Sequence, residues 1–71
     1  MYKELLTTPL LEMSHQQLLE YVKWQSFILN LIDNDIHSFY YVTGLNSIPM
    51  NNDHTINIIK IEQSYINNII N

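Results

Sequence analysis

From Ser14 to Thr43 the chain runs for 30 residues without a glycine or a proline. That run limits the fold more than any other feature. Strands and hairpins need turns every few residues, and turns need Gly, Pro or Asn-Gly pairs. The whole chain has one Gly and two Pro. The run therefore reads as helix. Ser14 starts it, with Gln17 three residues later as a capping box and Met13 and Leu18 as a hydrophobic staple. Gly44 follows the last periodic residue, where a helix ends most easily on a positive φ.

Projected at helical spacing, Leu18, Tyr21, Val22, Ile28, Leu29, Ile32, Ile36, Phe39 and Tyr40 share one face. Trp24, Phe27, Leu31 and Val42 extend it sideways. Lys23, Ser26, Asn30, Asp33, Asn34 and His37 form a narrow polar stripe, interrupted by Leu19 and Tyr41. The apolar sector spans about 220°, where a surface helix needs little more than about 100°.

A second long helix follows the loop around "LNSIPMNND". Asp53 is the expected N-cap for "HTINIIKIEQSYINNIIN". As a strand, adjacent Ile58 and Ile59 would point to opposite faces. As a helix, Asn57, Lys60, Ser64, Asn67 and Asn68 gather on one side, and the helical reading is preferred. Near the N-terminus, Thr8-Pro9 reads as an N-cap with Pro at the first helical position. Tyr2–Leu6 forms a further turn or simply packs. The expected fold is all-α: a small helical hairpin or bundle of two main helices plus a short N-terminal helical segment. It is one domain over residues 1–71, completed by self-association.

Length sharpens that expectation. An unbroken helix from Ser14 to Thr43 would reach about 45 Å, while a compact chain of 71 residues is about 30 Å across. Either the helix breaks near Asp33-Asn34-Asp35, whose residue types favour turns, or another chain covers its overhang. Leu29, Ile32, Ile36 and Phe39 keep their three-four spacing through this segment. That continuity favours an unbroken or merely bent helix.

Composition removes several functions. There is no Cys, so disulfides and thiolate metal sites are excluded. Three Lys, no Arg and seven acidic residues give a net charge of −4. Phosphate contacts and base-reading pairs need cations, so direct nucleic-acid binding is not expected. Docking on an anionic membrane fails for the same reason. No apolar run approaches the ~20 residues of a spanning helix, and the N-terminus lacks a signal-peptide pattern. A cytoplasmic location is expected.

Chemical sites are sparse. Asp33 and His37 stand four residues apart and would share a helical face, and both residue types ligate zinc. Two ligands do not make a site, and His15 or His54 would have to converge from elsewhere. The plainer reading is a solvated stripe, so no metal and no cofactor are expected. Glu62 and Asp35 project into apolar sectors, where a carboxyl pKa rises. No nucleophile, base and orienting group can be assembled around them, and no Gly-rich phosphate loop is present. An enzyme is not expected.

The surplus apolar surface points to protein partners. Trp24, Phe27 and Leu31 lie beside the main seam and form the expected patch, joined by Ile58, Tyr65 and Ile69 on the second helix. The expected function is a non-catalytic interaction protein, such as a small regulator, adaptor or chaperone subunit. It would offer an apolar helical face to itself as a homodimer or to a target protein, with little dependence on salt. One alternative is an acidic inhibitor of a DNA-binding protein. A second is a small metal-binding sensor or enzyme using Asp33 and His37. A third is a self-contained bundle without a partner.

Overall fold

The computed structural model describes the backbone of residues 2–70 and the side chains of residues 4–69. Four α-helices follow one another: α1 Tyr2–Leu6, α2 His15–Asn34, α3 Ile36–Thr43 and α4 Ile58–Ile70. A single 3₁₀ turn, Leu10–Glu12, lies between α1 and α2. No strand occurs among the described residues, and the only β pairing is one bridge between Met50 and Ile56. The helices pack on each other, so the all-α bundle expected from the missing breakers is what forms. Asn71, the expected end of the last helix, lies outside the described residues.

The start of α2 follows its local signals. Ser14 accepts from the Gln17 backbone N–H at 3.2 Å, and the Gln17 side chain accepts from Ser14 N at 2.8 Å. Two of the otherwise unpaired donors of the first turn are thereby satisfied.

The preference for an unbroken second helix is corrected. α2 stops at Asn34, and Asp35 takes a non-helical conformation with φ −154° and ψ 67°. Its carboxylate then restarts the chain: Oδ1 accepts from Ser38 N at 3.4 Å and Oδ2 from Ser38 Oγ at 2.7 Å. Those bonds hold the Asp35 pKa below the ordinary carboxylate value. One residue leaves the helix and the next rejoins it. Ile36 and Phe39 therefore stay on the core side although the axis is interrupted. The break lets 28 helical residues, 20 in α2 and 8 in α3, fit within extents of 32 × 30 × 20 Å.

α3 ends on Gly44, whose φ of 71° lies in the left-handed region. A Cβ there would stand 3.2 Å from Asn68 Oδ1, so glycine meets both the torsion and the close approach of α4.

The α3–α4 connection contains a tight loop. Asn51 N donates to Thr55 O at 2.7 Å, and His54 N donates to Asn51 O at 3.0 Å. His54 itself has φ 67°. This is a three-residue hairpin connection, a turn closed by a left-handed residue. The N-cap expected at Asp53 is corrected accordingly. Asp53 seals the loop by accepting from Thr55 N at 3.1 Å and Thr55 Oγ1 at 2.5 Å, which lowers its pKa. The helix begins four residues later, where Asn57 Oδ1 accepts from Lys60 N at 3.1 Å. Extended backbone up to Ile56 thus gives way to the helix expected for the isoleucine-rich segment.

Four side chains make the fully buried centre: Trp24 and Ile28 from α2, Phe39 from α3 and Ile61 from α4. Leu5 of α1 and Met13 are buried outside this cluster. Thr43 is buried as well, and its hydroxyl donates to Phe39 O at 2.7 Å.

Candidate interaction surface

The face of α2 that enters the core is set by its largest side chain. Trp24 is fully buried and meets Tyr21 and Tyr65 edge-on, with ring centroids 6.2 Å and 5.7 Å away. Edge-to-face rings add to the gain from removing so large an apolar surface from water. Ile28 follows four residues later, with Leu31 packed against the same cluster. Turning this side inward rotates Leu18, Val22 and Leu29 outward, and all three are exposed.

The residues of the expected patch fall in different surroundings. Trp24 has no exposed surface and touches only its own chain. Leu31, Ile58 and Tyr65 are half-buried against the core, while Phe27 and Ile69 are exposed. The six residues do not form one surface. The apolar stripe left open lies elsewhere, on residues assigned above to the main seam.

Beside this stripe runs a shallow groove of about 280 Å³, lined by Gln25, Leu29, Ile56 and Ile58. On α4, Ile59 and Ile69 are exposed. Ile69 stands three turns beyond Ile58 and shares its helical face. Tyr21 at the next turn of α2 donates its hydroxyl to Glu62 Oε1 on α4.

Glu62 is half-buried, and desolvation raises its carboxyl pKa above the ordinary value. It is the one carboxylate with that direction among those resolved; Asp35 and Asp53 shift down. Trp24 Nε1 is buried and finds no hydrogen-bond partner among the described residues. The two tyrosine rings packed against the indole are its nearest π-systems.

The other sequence candidates do not converge. Asp33, near the end of α2, and His37, in α3, stand on either side of the break at Asp35. Among the described residues no group of three His, Cys, Asp or Glu side chains is placed to hold a metal. A second shallow groove of about 270 Å³, between Gly44 and Asn67, is polar on its α4 side. Asn68 spans it, donating from Nδ2 to Tyr41 O at 3.0 Å and Val42 O at 2.9 Å. Among the described residues no helix is long and apolar enough to cross a membrane.

No protein-family model, no curated protein and no solved structure matches this chain.

Proposed function

We propose that this chain is a non-catalytic interaction protein, a small regulator, adaptor or chaperone subunit that works through an apolar helical face. One observation carries the reading. Leu18, Val22 and Leu29 on α2 and Ile59 and Ile69 on α4 are exposed, and Leu29 lines a shallow, mostly apolar groove with Gln25, Ile56 and Ile58. Scattered exposed aliphatics are ordinary, whereas a contiguous patch marks a contact surface. The groove offers hydrogen bonding only through Gln25 among its side chains, which suits a protein surface better than a polar small molecule. Glu62, the one carboxyl with a raised pKa, is engaged by Tyr21 and has no catalytic partner that the geometry identifies.

The test is site-specific photocross-linking in the host. A benzophenone side chain at Val22 or Ile59 should give one discrete protein adduct. The same group at Asn30, on the polar side of α2, should give none. Equal labelling from both sides, or no adduct at any position, would overturn the reading.

A further inference from the structure

Resting on that reading, we infer that the occupant of the α2 face is a second copy of this chain, its α2 packed antiparallel across a twofold axis at Gln25. The seam is already written in the spacing. Leu18, Val22, Gln25 and Leu29 are separated by four, three and four residues. That is the a/d repeat by which one helix packs on another. The structure leaves its aliphatic members Leu18, Val22 and Leu29 outward, 40%, 58% and 42% exposed, while Gln25 is half-buried at the edge of the groove. Ile32 continues it at the next position and is half-buried.

Self-pairing fits this seam better than a foreign helix. Gln25 sits at its midpoint, three residues from Val22 and four from Leu29, seven from Leu18 and seven from Ile32. An antiparallel copy therefore sets Leu18 against Ile32 and Gln25 against itself, with Val22 and Leu29 offset from each other by one residue. A carboxamide both donates and accepts, so two glutamines satisfy each other across the axis. A different helix would have to present a matching polar group at that level. The seam itself carries no charge, and the nearby Lys23 and Glu20 are already joined at 3.3 Å. Antiparallel packing also sets the helix dipoles head to tail.

The area argues the same way. The chain exposes 5095 Å², where a folded monomer of 8.5 kDa exposes about 4,700 Å². Its radius of gyration is 12.2 Å, against about 11 Å for a compact chain of this length. With no cysteine and only four fully buried side chains in the central cluster, association supplies what so short a chain lacks.

The test uses the full chain. Light scattering behind size exclusion, across a wide concentration range, should give twice the 8.5 kDa chain mass. Val22→Glu with Leu29→Glu should weaken dimerisation on the order of a hundredfold. Far-UV circular dichroism should be unchanged at the same concentration, because both positions are exposed. Because the chain has no Cys, a single Gln25→Cys should oxidise rapidly to a covalent dimer, while Asn30→Cys should not. A dimer that ignores the Val22 and Leu29 substitutions, or that oxidises as fast through position 30, overturns the inference. So does a monomer at every concentration. In that case adducts from the Val22 photocross-linker would preserve the wider interaction reading, and their absence would end it too.

Discussion

The hydroxyl of Tyr21 donates to the carboxylate of Glu62, tying α2 to α4 beside the open groove. Desolvation raises the Glu62 pKa all the same, so the charged form is less stable in the folded chain than in the unfolded one. The sign follows directly. A raised folded pKa means the native state holds more protons, so stability falls as pH rises between the unfolded and folded values. The contribution is fully present below about pH 4.3 and is lost above the raised value. Glu62→Gln should remove this slope and raise the melting temperature at neutral pH, with little change in acid. Thermal melts of both proteins from pH 4.5 to 7.5 check it. A wild-type slope that survives the substitution would place its origin elsewhere.

His54 carries a φ of 67° at the closing position of the 51–55 loop. A side chain there costs about 1 kcal/mol relative to a residue without a Cβ. Part of that gain returns as extra freedom of glycine in the unfolded chain. His54→Gly should therefore stabilise the fold by about 0.5 kcal/mol, a rise of about 2–4 °C in melting temperature. Chemical denaturation with an unchanged slope is the measurement. A loss of stability would show that the imidazole contributes more than its backbone costs.

How much of this fold the sequence discloses depends on the range of the forces involved. Local signals read correctly where they stood alone. The Ser14–Gln17 box and Gly44 mark the outer ends of the α2–α3 pair. Asp35 shows the limit. Its residue type permits either helix or cap, and the apolar spacing runs on through it because leaving the helix for one residue hardly resets the phase. The choice is made by compactness, since a straight rod of this length has nothing in the chain to cover it. Asp53 fails in another way. It is a sound N-cap by type, yet Thr55 lies two residues on and captures its carboxylate, leaving the cap to Asn57. The contact face was the least legible. A 220° apolar sector does not say which half turns inward, and that is decided by what Trp24 meets from α4.

Asn68 holds α4 against the end of α3 by donating to the carbonyls of Tyr41 and Val42. These are among the last carbonyls of α3, which lack partners within the helix. Asn68→Ala should cost about 1–2 kcal/mol. Amide exchange should quicken at the end of α3 more than at the start of α2. Asn67→Ala, at the exposed neighbouring position, is the control and should be near neutral. Equal losses from the two substitutions would mean the cost is one of α4 helicity alone.

The sharpest contrast lies within one helix, two residues apart. Trp24 is fully buried, whereas Val22 is exposed. Trp24→Ala removes the indole from between Tyr21 and Tyr65 and leaves a cavity beside Phe39 and Ile61. Such truncations cost about 3–5 kcal/mol, comparable with the whole stability of a chain this small. The variant should lose cooperative melting and most of its helical signal. Val22→Ser removes apolar surface that faces solvent in the single chain, so at concentrations where the chain is monomeric it should change stability by less than about 0.5 kcal/mol. At higher concentration it should lower the melting temperature relative to wild type, because only the associated state uses that face. Melting curves at two widely separated concentrations separate these effects. If Val22→Ser were costly even when dilute, the valine would belong to the core of the single chain, and the α2 stripe would not be a contact surface.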